Sequence, residues 1–217
     1  MTRRAKPDAA AGDGRPMNII LLGDPASGKG TQSARLARRY GMYDLDMGRE
    51  VNRPSVVARY DYDHTTAIGK LTPTEIVRTI FIDKIAATPP TKGIVFSGTP
   101  KMIGEARLVE RLLRGDGRRD PLVAYLHIPV REIRFRTEHR RVYVHGRPVR
   151  RADDTIRALA NRRRYYRDQI AKVVAFFRAR YAFVRISGMG TEDEVAARIE
   201  AAIARYEARM ARARTSL

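Results

Sequence analysis

The chain has 217 residues, 43% of them hydrophobic, with no cysteine and a formal net charge of +19 from 43 Lys plus Arg against 24 Asp plus Glu. This is enough apolar content for one domain with a buried core, and the lack of cysteine excludes disulfides and a cysteine-held zinc and suits a cytoplasmic protein. No apolar run approaches the roughly 18 residues of a membrane span, and the surplus charge, nearly all arginine, predicts a solvated basic surface able to attract polyanions non-specifically.

Residues 1–16 carry no strand or amphipathic pattern and no apolar signal core, so they are expected to be a disordered basic arm, with a single folded domain over 17–217. The run Ile19-Ile20-Leu21-Leu22 predicts a buried strand. It is followed by Gly23-Asp24-Pro25-Ala26-Ser27-Gly28-Lys29-Gly30-Thr31 and then by a helical stretch, 32–40, closed by Gly41. Strand, glycine loop and helix form the context in which G-x-x-x-x-G-K cradles phosphate, through loop N–H groups and the positive helix end. In it Lys29 would reach the β- and γ-phosphates, and Thr31 would offer a hydroxyl to magnesium.

Residues 42–46 predict a short second strand, and the mixed segment 52–68 a helical insertion. Thr72-Pro73-Thr74-Glu75 reads as a capping box opening a helix with Ile76, Ile80, Phe81 and Ile85 on one face. Ile94–Ser97 predicts a third strand ending in Gly98-Thr99-Pro100-Lys101. A helix through Glu105, Leu108, Val109 and Leu112 follows, then strands at 122–127 and 182–186. Strands alternating with helices imply an α/β fold with a five-stranded parallel sheet and helices on both faces. Ligands on such a sheet bind beyond the strands' carboxyl ends, where both glycine loops fall.

Between the last two strands, Arg136 and Arg140 share a helix face. Residues 141–150 alternate around His145-Gly146 as a small hairpin, and Arg151-Ala152-Asp153-Asp154-Thr155 leads into a helix bearing Arg162. The loop G-x-P-x-x-G-K-G-T, with Ala26 where a second glycine is usual, resembles that of the adenylate kinase family of nucleoside monophosphate kinases. The arginine layout resembles that family's lid, and the likeness spans residues 17–205.

The resemblance implies a P-loop kinase fold with a small helical monophosphate-binding insertion at about 47–72 and a short, zinc-free lid at about 138–152. It implies a monomer that moves the γ-phosphoryl of ATP, with Mg2+, to a nucleoside monophosphate. Lys29, Arg140, Arg151 and Arg162 would be catalytic. Ala26, Ser27, Gly28, Lys29, Gly30, Thr31, Arg136 and Gly188 would bind ATP. Met47, Gly48, Arg53, Leu71, Thr72, Gly98, Lys101 and Glu105 would face the acceptor.

The acceptor motifs depart from the family. S/T-G-D-x-x-R reads Met47-Gly48-Arg49-Glu50-Val51-Asn52, with Arg53 next to the missing arginine. D-G-F/Y-P-R reads Ser97-Gly98-Thr99-Pro100-Lys101, so a strand-end carboxylate near magnesium becomes serine and a clamping arginine becomes lysine, which lacks the bidentate fork. The glutamine expected to read the acceptor base is Glu105, and an ionised carboxylate, acceptor-only, suits the N–H donors of guanine. Two alternatives stay open on the sequence: a P-loop kinase of another small acceptor, and a non-catalytic ATP- or nucleic-acid-binding protein.

Overall fold

The structure is a computed structural model and describes residues 14–60, 72–139, 142–144, 147–149 and 166–215. Five strands, β1 (Ile19–Gly23), β2 (Tyr43–Asp46), β3 (Ile94–Ser97), β4 (Leu122–His127) and β7 (Phe183–Ser187), form a parallel sheet in the order β2-β3-β1-β4-β7. The expected five-stranded parallel sheet is therefore present, with the last strand shifted by one residue. Because successive side chains alternate across a strand, Ile20 and Leu22 enter one core with Phe81, Phe96 and Phe177, while Ile19 and Leu21 enter another with Leu36, Val95 and Ile199. A sheet covered on both faces needs apolar residues at every position, which is why β1 reads as an unbroken apolar run.

The first core is covered by α2 (Met47–Val51), α4 (Thr74–Ala86), α5 (Ile103–Gly115) and α7 (Ala171–Arg178). The second is covered by α1 (Lys29–Tyr40) and the long C-terminal α8 (Glu192–Thr215). Two more helices, α3 (Pro54–Tyr60) and α6 (Val130–His139), lie in the insertion and before the hairpin, and a π-helical turn (Tyr166–Ile170) leads into α7. Strands β5 (Val142–Val144) and β6 (Arg147–Val149) pair antiparallel with Val142 opposite Val149, as the alternation around His145-Gly146 predicts.

Two helix starts differ from expectation. Helix α1 begins at Lys29, three residues early, with Gly28 at its N-cap in a left-handed conformation (φ 89°). Lys29, Gly30 and Thr31 thus form the first turn, the positive end of the helix. Helix α4 begins at Thr74, with Pro73 in the cap position at φ −50° and ψ 137° and no side-chain cap hydrogen bond. The extended ψ of Pro73 keeps Thr72 out of the helix, so the Thr72–Glu75 capping box does not form.

At the sheet's amino end, α8 is tied down by polar contacts. Arg119 is fully buried, with its guanidinium 3.0 Å from Glu207 and 4.7 Å from the Tyr206 ring centroid. The Tyr206 hydroxyl donates to the Asp120 carbonyl at 2.7 Å, and Asn18 Nδ2 donates to the Arg119 carbonyl at 2.8 Å. A buried guanidinium is tolerated only when paired in this way.

Candidate active site

A cavity of about 640 Å³ opens at the carboxyl ends of β1, β2 and β3, a size suited to small organic ligands. It is lined by the loop Pro25–Thr31, by Arg136 on α6 and by Gly188 after β7, residues expected to face ATP. Asp24 pins the loop to the neighbouring strand: its carboxylate accepts from the Tyr125 hydroxyl at 2.7 Å and from the Ile128 N–H at 2.9 Å. Burial, followed by the hydrogen bond to Asp24, pushes the Tyr125 hydroxyl pKa well above its usual value, so tyrosine stays the donor. The Lys29 ammonium arches back to the carbonyls of Gly23 (2.9 Å) and Asp24 (2.7 Å), which holds its charge over the loop.

Gly188 is a close-approach position. A Cβ there would lie 3.0 Å from Ile128 Cγ2 and 3.1 Å from the Ser27 carbonyl oxygen, so a side chain would press on the phosphate loop itself. Ala26 holds φ 57°, a left-handed conformation that costs an alanine more than a glycine. Beside Arg136, whose Nε donates to Glu132 at 2.6 Å, Phe135 is 57% exposed and stacks against His139 at 4.3 Å between centroids. Arg136, Phe135 and His139 all line the cavity.

The cavity also reaches Met47, Gly48, Thr72, Gly98 and Lys101, five of the eight residues expected to face the acceptor. Leu71, the lid arginines Arg140, Arg151 and Arg162, and residues 1–13 of the arm lie outside the described residues.

Arg53 and Glu105 are placed elsewhere. Glu50 is fully buried, and Arg53 Nε sits 2.6 Å from its carboxylate, with Lys84 at 3.6 Å. A buried carboxylate without cations would be strongly destabilising, so Arg53 is drawn to Glu50 and does not line the cavity. Glu105 is 4% exposed, and its Oε2 accepts from the backbone N–H of Lys101 at 2.6 Å and of Met102 at 3.4 Å. It caps the N-terminus of α5 and shapes the loop that carries Lys101. Burial raises its pKa, while the two backbone donors and the Lys101 charge work against that shift. The carboxylate expected to read the acceptor base thus has its Oε2 engaged by the backbone, and Glu105 is not among the residues that line the cavity.

The structure adds residues that sequence reasoning passed over. Gln32 donates from Nε2 to the Glu192 carbonyl at 2.9 Å and joins α1 to α8 beside the cavity. Asp46, the last residue of β2, faces the cavity next to the phosphate loop and lies opposite Ser97 in the sheet register. Its position at a strand end, immediately before the motif at Met47, was the available signal.

The adenylate kinase family model matches residues 21–182. An adenylate kinase of Parvibaculum lavamentivorans is 32% identical over 188 residues, covering 85% of this chain and 90% of that protein. One from Porphyromonas gingivalis is 31% identical, covering 84% of this chain and 93% of that protein, and one from Thermus thermophilus is 31% identical, covering 85% and 96%. With the phosphate loop and the parallel sheet in agreement, the chain belongs to the adenylate kinase family and is a phosphotransferase that moves the γ-phosphoryl group of ATP to a nucleoside monophosphate.

Proposed function

We propose that the acceptor is adenylate and that the donor is ATP carrying Mg2+. The observation behind this reading is the continuity of the cavity, from Arg136 and Gly188 past the phosphate loop to Gly48, Thr72 and Lys101. Two nucleotides entering from its ends would meet with their phosphates over Lys29. The names of the relatives support adenylate, and the engagement of Glu105 Oε2 by backbone N–H groups weakens the argument for guanine.

Transfer between phosphates asks little covalent chemistry of the protein, so positioning and charge neutralisation supply the catalysis. An acceptor monophosphate oxygen is already anionic and needs no general base. The loop N–H groups and Lys29 bind the donor phosphates, Arg136 packs against the donor base, and Lys101 holds the acceptor phosphate. Arg140, Arg151 and Arg162 are assigned by resemblance to the transferring group, and closure of the lid would exclude water that otherwise hydrolyses ATP. The donor set fits a hard cation: Thr31 and Ser97 both bring hydroxyl oxygens to the cavity. Bound Mg2+ would neutralise charge on the phosphate oxygens, with Thr31 as its loop ligand.

The test is steady-state turnover of ATP-Mg2+ with AMP, GMP, CMP and UMP. AMP should give the highest kcat/KM. A clear preference for another monophosphate would overturn the adenylate assignment and leave the donor reading standing.

A further inference from the structure

A nucleotide in a phosphate loop brings a cation that is normally shared between a loop hydroxyl and an acidic side chain at a strand end. The end of β3 offers Ser97. The carboxylates near the cavity are nearly all committed: Asp24 to Tyr125 and Ile128, Glu50 to Arg53, and Glu105 to the Lys101 backbone. Asp44 is paired with Arg49 at 3.1 Å. Glu192 is 69% exposed at the start of α8 and faces Arg35.

Asp46 differs from all of these. Its Oδ1 accepts from the Arg49 N–H at 3.0 Å and caps α2, and among the described residues no donor engages Oδ2. That second oxygen points at the phosphate loop: a Cβ placed on Gly30 would lie 3.3 Å from it. Gly30 sits between Lys29 and Thr31, so Oδ2 is directed to the stretch that carries both the phosphate-binding ammonium and the magnesium hydroxyl. Asp46 and Ser97 are register partners across β2 and β3, so the two strand ends are adjacent.

We propose that Asp46, from the neighbouring strand, is the metal-facing carboxylate of the ATP site, in the role that the end of β3 leaves to an uncharged serine. This rests on the donor half of the function proposed above and is independent of which acceptor is used. The cap fixes one oxygen and thereby aims the other, so the carboxylate is oriented before nucleotide arrives. Mg2+ retains several waters, and Asp46 acts on the hydrated ion through charge and water.

The experiment is calorimetric binding of a non-hydrolysable ATP analogue to the full chain, with Mg2+ and with EDTA, and with no acceptor present. Asp46→Asn keeps the cap, because asparagine caps as well as aspartate. It should weaken binding of the magnesium complex about tenfold, the scale of losing an outer partner of a metal. It should also tighten binding of the metal-free analogue, because a negative charge facing the phosphates is gone. Adding Ser97→Asp should restore the magnesium-dependent gain. Equal change in both affinities, or no change in either, would overturn the proposal. Failure of the adenylate assignment would leave this measurement untouched.

Discussion

The proposed donor and acceptor halves of the cavity are built by different means. The donor half is largely backbone: a loop anchored by Asp24, a helix start at Lys29, and Gly188 pressed against Ser27. The proposed acceptor half combines the side chains of Met47, Thr72 and Lys101 with Gly48 and Gly98, and two of the side chains expected to contact the substrate are instead engaged by the protein. Backbone geometry leaves few solutions for phosphate, whereas an acceptor pocket is recomposed by exchanging single side chains. The family's sequence pattern accordingly survives on one side and is rewritten on the other.

The sharpest way to break this comparison is at its centre. Lys29→Met should cut kcat by at least about 10²- to 10³-fold, the scale of a lost preorganised donor at a reacting centre. ATP binding should weaken too, since the charge is held over the loop before reaction. Near-normal turnover would show that the loop is not the donor site.

Lys101→Ala should act on the acceptor half alone. Loss of one charge-assisted contact costs about 1.5–3 kcal/mol, so kcat/KM for AMP should fall roughly ten- to a hundredfold with the affinity for ATP unchanged. Equal losses for both nucleotides would mean that the two halves are not separable.

The smallest effect belongs to Glu105. Glu105→Gln should leave the GMP to AMP ratio of kcat/KM unmoved, while Glu105→Ala should lower stability by about 1 kcal/mol through loss of the cap. The folded-state pKa is raised above the unfolded one. The contribution of this group is therefore fully present below the unfolded value, about 4.3, and is lost as pH rises through the folded value. Glu105→Gln should flatten that part of the stability profile measured by thermal melts. A ratio that shifts toward AMP in Glu105→Gln would return the carboxylate to the base.

What the sequence made legible follows the same division. The strands and the phosphate loop are set by short-range patterns: an apolar run, spaced glycines and a following helix. Arg53 was not legible because its partner is chosen by tertiary packing, which buries Glu50 near Lys84 on α4. Glu105 turned on a boundary: with α5 starting at Ile103 it falls in the first turn, where its carboxylate meets Lys101 N–H. Asp46 needed the register of β2 against β3, which no local pattern encodes.

The anchoring of α8 also joins two distant parts of the molecule. The same helix supplies Glu207 and Tyr206 to the buried Arg119 and places Glu192 and Val195 in the cavity wall. Arg119, Tyr206 and Glu207 do not themselves line the cavity. A substitution that unpairs Arg119 is therefore expected to loosen α8 and to reach the nucleotide site through that helix, at a distance from any contact with substrate.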